Sequence, residues 1–267
     1  MVTAASLTFL ISKGKMYKTL KNKGREVSDY YAGSPDYFYL TPASLTLLRG
    51  LQPLVETYCR GRVLDAGAGR GVYRELLQDQ ADDYIGMDIT STKATNVVGD
   101  AQRLPFADAS FDTVFCSQVL EHVPEPWLVL AEFRRVLKDE GRLILTVPHI
   151  SWLHNEPYDY YRYTSHGLTY LLTRCGLVVS DIMPVGGLFS LLGHVGSSLW
   201  MNLLFGIPFI HPVVRGFNRL WVSLAAWLDG VTEEKKVFAL NYVCTARKNH
   251  DWPQGRITSC DGGPSGR

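Results

Sequence analysis

Val63-Leu64-Asp65-Ala66-Gly67-Ala68-Gly69-Arg70-Gly71 is an apolar run that breaks into three alternating glycines, and Val72-Tyr73-Arg74-Glu75-Leu76-Leu77 follows with helix-like composition. The order is strand, tight turn, helix N-terminus, the place where an open α/β sheet holds a nucleotide-like ligand. Counting from Gly67 and Gly69, a G-x-G-x-x-G dinucleotide fingerprint would put its third glycine at position 72, which is Val72; the extra glycine is Gly71. An NAD-dependent oxidoreductase fails on that spacing. No Lys-Ser/Thr pair follows the turn, so a P-loop is excluded as well.

Further along, Tyr84-Ile85-Gly86-Met87-Asp88 is an apolar strand ending in a carboxylate, and Asn96-Val97-Val98 ends in Gly99-Asp100-Ala101. Then come Leu104-Pro105-Phe106, Phe111-Asp112-Thr113-Val114 and Leu120-Glu121-His122, followed by Leu130 to Leu143 and a continuation to Pro148. With an acid two positions before the first glycine, the set resembles the class I S-adenosylmethionine-dependent methyltransferases, and the LPF, FD-V and LEH segments resemble their type 11 group. The resemblance covers roughly a third of the chain, with several motifs in the right order. It implies S-adenosyl-L-methionine as cofactor, held by Asp65, Ala66, Gly67 and Gly69 around the methionine moiety. Asp88 and Ile89 would serve the ribose and its surroundings, Asp100 and Ala101 the adenine, with Ser117 at the end of the fourth strand. Glycines let the backbone approach the ligand, and Asp65 offers negative charge to its ammonium group.

Strand-like runs at 62–65, 84–88, 95–98, 111–116, 142–147, 177–182 and 238–246 alternate with helical stretches. The expected fold is α/β: a Rossmann-like, doubly wound, mostly parallel seven-stranded sheet with a helical apolar insertion before the last strand. Trp127, Leu130, Ala131, Arg134 and Leu137 mark a helix started by Pro124 and Pro126 and stopped by Gly141. The expected division is a basic arm and helical lead-in over 1–60, the cofactor-binding core over 61–183, the insertion over 184–231, the final strand over 232–248 and a flexible tail over 249–267.

The chain has 267 residues, 46% of them hydrophobic and 12% aromatic, enough for one large globular domain with an insertion. Five scattered cysteines without a C-x-x-C pair suggest neither a disulfide framework nor a zinc site, and a reducing compartment follows. No cleavable signal pattern begins the sequence, and the expected location is cytoplasmic. The net charge of +1 hides an asymmetry: Lys13, Lys15, Lys18, Lys21, Lys23 and Arg25 precede any acid, leaving 21 basic against 26 acidic residues in the remainder. A solvated tail and attraction to an anionic membrane surface both fit the basic arm, while an acidic body argues against nucleic acid.

From Ile182 to Val214 there are 33 residues without Asp, Glu, Lys or Arg. Glycines, Pro208 and scattered Ser, His and Asn interrupt the run, which favours a helical hairpin over a membrane span. In the next segment Val213, Phe217, Leu220, Trp221, Leu224 and Leu228 share one helical face, with Arg215, Asn218, Arg219 and Ser223 off it. The membrane interface, packing over the sheet and a homodimer face are all compatible with that pattern. If the interface is the partner, the protein sits peripherally on the cytoplasmic face of a membrane.

Methyl transfer needs a nucleophile aligned with the carbon–sulfur axis and, for an oxygen acceptor, a proton acceptor. Candidates lie beyond the fourth and fifth strands: His122, and the loop His149-to-Thr164, whose Pro157-Tyr158-Asp159-Tyr160-Tyr161-Arg162-Tyr163-Thr164 resembles a segment of bacterial type 11 enzymes. His154 is the candidate base, with His122 and Asp159 as further catalytic candidates. No metal is implied, since no His and carboxylate ligands cluster at recognisable spacing. The reading is methyl transfer to a small-molecule, lipid-linked or glycan acceptor at oxygen or carbon. The alternative is a non-enzymatic cofactor-binding protein that docks on a membrane or partner through residues 184–230.

Overall fold

The computed structural model describes residues 15–205, 207, 209–232 and 236–252, with side chains from residue 22 onward. The N-terminal part of the basic arm and most of the expected tail lie outside them. The chain divides into two units, one comprising 52–69, 73–183 and the segment from 242, the other comprising the chain up to Leu51, 70–72 and 184–241.

The first unit is built on a sheet of seven strands in the order β3-β2-β1-β4-β5-β7-β6, the expected α/β fold. The strands are β1 (Arg62–Ala66), β2 (Asp83–Asp88), β3 (Val97–Val98), β4 (Phe111–Ser117), β5 (Leu137–Pro148), β6 (Leu177–Val185) and β7 (Asn241–Lys248). Parallel pairing links β3 to β2, β2 to β1, β1 to β4 and β4 to β5. Val63, Leu64 and Ala66 of β1 and Val114, Phe115 and Cys116 of β4 are buried without alternation, the pattern of strands covered on both faces. The core gathers around Leu64, Phe111, Phe133, Leu143 and Leu168.

Three element boundaries differ from the sequence reading, each for a local reason. The helix before β5 ends at Val136, and Leu137 already pairs with Phe111 before the register shifts to Thr113 against Arg142. Gly141 is therefore not a helix stop: a Cβ there would lie 2.9 Å from Lys138 O and 3.1 Å from Asp112 O, so the irregular strand pair requires glycine. β3 is shortened because Asn96 clasps Gly86 instead, its Oδ1 accepting from Gly86 N at 2.9 Å. β7 begins at Asn241, since Ala239 N donates back to Lys236 O in a turn.

The second unit is helical. It contains α1 (Lys15–Tyr31), the N-terminal part of α2 (Pro42–Tyr58), α6 (Leu188–Leu204) and α7 (His211–Thr232). Helices α3 (Arg74–Gln78), α4 (Pro126–Val136) and α5 (Ser165–Arg174) belong to the sheet unit. In the α6–α7 hairpin the buried positions are Ser190, Gly193, Ser197 and Met201 on one helix and Asn218, Val222, Ala225, Ala226 and Asp229 on the other. The apolar face seen in the sequence points largely outward, with Val213 71%, Phe217 54% and Leu220 73% exposed. The polar interior is paired at several points, although Ser190 Oγ is buried without a hydrogen-bond partner among the described residues. Trp200 Nε1 donates to Asn218 Oδ1 at 2.7 Å, Asn218 Nδ2 donates to the carbonyls of Tyr39 and Leu40, and Trp221 Nε1 donates to Gly193 O. Asp229 accepts from Phe189 N and Ser190 N, capping α6 from the far end of α7. Among the described residues, no helix is long and apolar enough to cross a membrane.

Candidate functional site

The turn after β1 is forced by its surroundings. Gly67 has φ +92°, and a Cβ there would collide with Val119 Cγ2, so only glycine fits. Gly67 N and Ala68 N both donate to Met87 O, tying the turn to β2. Gly69 N donates to Asp88 Oδ2 at 3.0 Å, while Asp88 Oδ1 accepts from Thr90 N and Thr90 Oγ1. Asp65, buried in β1, accepts from Tyr84 Oη at 2.8 Å. Burial pushes its carboxyl up to about 7; the Tyr84 bond opposes that rise and the Asp88 charge adds to it.

Beyond β2, Ile89 projects into solvent, and Asp100 accepts from Gln102 N at 2.8 Å. Ala66 is buried and can serve a ligand only through its backbone; Ala101 follows Asp100. Ser117 closes β4 with its hydroxyl 2.9 Å from that of Thr146 on β5. Among the described residues, the hydrogen bonds to Asp65, Asp88 and Asp100 come from neutral donors. A glycine turn with uncompensated carboxylates and an exposed aliphatic side chain fits a cationic amino-acid nucleoside. Its ammonium group needs an anion, its ribose acceptors, and its base an apolar contact.

A second cluster forms from segments distant in sequence. Glu121 and His122 lie on a one-turn 3-10 helix (Leu120–His122) after β4, two residues beyond the Val119 that packs on Gly67. The loop after β5 is fastened to this segment: Tyr160 N donates to Glu121 O at 2.8 Å, Tyr161 Oη to Pro124 O at 2.7 Å and Tyr163 Oη to Leu120 O at 3.0 Å. Fastening brings His154 beside His122, ring centroids 4.8 Å apart and edge to face. Glu121 Oε1 is 3.7 Å from His122 Nε2 and 3.9 Å from His154 Nε2.

Asp159 supports this arrangement rather than facing solvent. Its oxygens accept from Arg162 Nη1 and Nη2 at 2.7 and 2.9 Å and from His154 N at 2.7 Å. The Arg162 guanidinium, against the opposing effect of burial, holds its carboxyl down at about 2. Burial pushes Glu121 the other way, up to about 8, and lowers His122. Of the four tyrosines, Tyr161 and Tyr163 are fastened as described, while Tyr158 and Tyr160 are exposed. Thr164 caps α5 by accepting from Gly167 N at 3.0 Å.

All three catalytic candidates, His154, His122 and Asp159, thus meet in one place. Glu121, which qualifies by position in the sequence together with His122, is the member not carried into the catalytic set. Its signal was the LEH triplet, but 32 positions separate His122 from His154, and spacing alone conceals their meeting.

Comparison with known proteins follows the geometry. A family model described as a methyltransferase domain matches residues 64–145. An uncharacterised methyltransferase of Mycobacteroides abscessus is 33% identical over 139 residues, 45% of this chain and 53% of that protein. The demethylmenaquinone methyltransferase of Renibacterium salmoninarum is 38% identical over 94 residues, 32% of this chain and 40% of the relative. The chain therefore spans about half the length of the curated relatives it matches, or less. Among solved structures, the [4+2]-cyclase SpnF superposes with a TM-score of 0.52 at 22% identity, covering 74% of this chain and 80% of that one. At that identity the likeness concerns the fold alone.

Proposed function

From the premise that residues 64–145 are a methyltransferase domain of the type 11 group of class I S-adenosylmethionine-dependent enzymes, we propose that this chain methylates a small-molecule, lipid-linked or glycan acceptor at oxygen or carbon. The observation that carries the reading is the join at Val119: the residue that packs on Gly67 of the ligand turn stands two positions before Glu121 and three before His122. Ligand turn and histidine cluster thus adjoin at the carboxyl ends of β1, β4 and β5. The fold neighbour SpnF is a cyclase, so the fold by itself does not name the reaction.

S-adenosylmethionine, when bound, supplies a methyl group on a sulfonium. In this reading the backbone of Ala66, Gly67 and Gly69 lines its methionine end, Asp65 faces its ammonium group, and Asp88 accepts from the ribose hydroxyls. Ile89 covers one face of the base, Asp100 and Ala101 meet its edge, and Ser117 borders the methionine side. On the acceptor side, His154 Nδ1 lies 3.2 Å from Trp152 O and 3.7 Å from Asp159 Oδ2, with Arg162 Nη2 at 3.3 Å. With the ring proton on Nδ1, donated to Trp152 O, Nε2 is open to take a proton from an acceptor hydroxyl; in the other tautomer Nδ1 accepts from Arg162. Asp159 is a positioning residue, holding the His154 backbone, and exposed Tyr158 and Tyr160 offer faces to a ring or saccharide.

The hairpin supports a membrane-surface location, on the cytoplasmic face. Its outward apolar face carries an apolar cleft of about 150 Å³ lined by Phe189, Leu192, Trp221 and Leu224. The Lys-rich sequence before Glu26 adds charge that complements an anionic leaflet. Cys59, Cys116 and Cys244 are buried free thiols, which fits a reducing compartment.

The test measures S-adenosylhomocysteine binding by calorimetry and tritium transfer from labelled S-adenosylmethionine into a crude lipid and glycan extract. Asp88→Ala should weaken binding by about 1.5–3 kcal/mol, while His154→Ala should leave binding nearly intact and depress label transfer. Binding of NAD in place of S-adenosylhomocysteine, or undiminished transfer by both variants, would overturn the reading.

A further inference from the structure

We propose that Glu121, His122 and His154 form a two-histidine, one-carboxylate site for a divalent first-row transition ion, zinc among them, with an open position facing the acceptor loop. The inference rests on reading that loop as the acceptor site. It changes how the histidines serve the site: as ligands rather than as a proton acceptor.

Glu121, His122 and His154 each offer one ligand atom, and these atoms all lie within 4.8 Å of one another. An ion with bonds near 2.0–2.1 Å in tetrahedral geometry places its ligand atoms roughly 3.4 Å apart. The carboxylate-to-imidazole separations of 3.7 and 3.9 Å are close to that, and small rotations of the two half-buried rings would close them.

The outer shell is already in place. A ligating imidazole characteristically donates its other N–H to a backbone carbonyl or carboxylate, which fixes the ring and presents the lone pair. His122 Nδ1 lies 2.6 Å from Tyr158 O, and His154 Nδ1 lies 3.2 Å from Trp152 O and 3.3 Å from Arg162 Nη2. In the tautomer in which Nδ1 donates to the carbonyl, each ring turns its Nε2 lone pair toward Glu121 Oε1. Asn155 Nδ2 sits 3.3 Å from His122 Nε2; rotating that amide would put its oxygen there, a fourth donor of suitable chemistry.

Glu121 supplies the independent argument. Its side chain is 0% exposed, and neither oxygen has a hydrogen-bond partner. Ionised, such a group carries an uncompensated desolvation cost; protonated, its O–H still lacks an acceptor. The nearest fixed cation, Arg162, is bound to Asp159 and to the carbonyls of Ser151, Trp152 and Tyr161. A divalent ion between the carboxylate and the two imidazoles removes the deficit in one step. Side-chain exposures of 20% for His122 and 32% for His154 leave the ion a route in. Beside the acceptor loop, its remaining position suits an acceptor oxygen, which it would orient and polarise.

The test uses full-length protein stripped with a chelator. Zinc is titrated in competition with a chromophoric chelator, cobalt absorption serves as a second readout, and S-adenosylhomocysteine calorimetry is run on the same sample. We expect one tight equivalent per chain. His154→Ala and Glu121→Gln should each weaken it by more than the roughly 10–100-fold that losing an outer-shell partner costs, and His166→Ala, remote from the cluster, should leave it unchanged. His154 lies in a half-exposed loop, so its variant remains informative should Glu121→Gln fail to fold. Zinc binding no tighter in the wild type than in His154→Ala, with S-adenosylhomocysteine still bound, overturns the metal site and leaves the methyltransferase reading standing. Loss of both overturns the reading beneath it.

Discussion

The two units distribute polarity in opposite ways. In the sheet unit, β1 and β4 bury apolar side chains on both faces, and Asp65 and Glu121 stand out as buried carboxylates. In the α6–α7 hairpin, Ser190, Ser197, Asn218 and Asp229 are inside while Leu192, Leu199, Phe217, Leu220 and Leu224 are outside. The sheet unit is organised by removing apolar surface from water. The hairpin is organised by internal hydrogen bonding, and leaves apolar surface for something else to cover. The buried polar groups therefore differ between the two places: Asn218 and Asp229 act as fasteners in the hairpin, while Asp65 and Glu121 are the groups we propose to serve ligands in the sheet unit.

The sharpest test of the fastener role is Asn218→Ala. It leaves Trp200 Nε1 and the carbonyls of Tyr39 and Leu40 without their Asn218 partner, and the loss should be about 3 kcal/mol. Chemical unfolding followed by indole fluorescence measures it. A loss below about 0.5 kcal/mol would mean that water satisfies these groups and that the hairpin interior is not closed.

Asp65 gives the next largest effect. Its folded value, about 7, lies above the ordinary carboxylate range, so the free protein prefers the protonated form. That contribution to stability is complete below the unfolded value and is lost as the pH rises toward and through 7. Binding of an ammonium group needs the carboxylate, so affinity runs the other way. Calorimetry should show S-adenosylhomocysteine affinity level above pH 7 and falling about tenfold, or 1.4 kcal/mol, per unit below it. A flat profile from pH 5 to 8 would place Asp65 among ordinary buried groups.

Leu220→Asp should disturb folding least, within about 0.5 kcal/mol, because the side chain is in water already. Co-sedimentation with phosphatidylglycerol vesicles should drop severalfold at high salt, where burial of apolar groups outlasts charge attraction. Unchanged vesicle binding with a dimer-to-monomer shift would assign this face to a second copy of the chain.

Much of the fold was legible because its signals are local. The glycines at 67, 69 and 71 and the acids that end the early strands are set by backbone geometry within a few residues. Gly141 misled because a helix stop and a close backbone approach both call for glycine, and only the strand partner distinguishes them. The hairpin helices were legible as amphipathic, but periodicity identifies two faces without saying which one meets water. The cluster at Glu121 lay beyond reach for another reason: it depends on where three tyrosine-borne groups fasten a sixteen-residue loop, from His149 to Thr164.

Asp229 has one more consequence. By holding Phe189 N and Ser190 N, it joins the open end of the hairpin, about forty residues apart in sequence, without help from the covalent connection at the other end. The peptide link around Phe209 is then redundant to assembly. A chain nicked there by a protease would persist as two associated fragments, and the same point is a natural place to insert a reporter peptide without separating the helices.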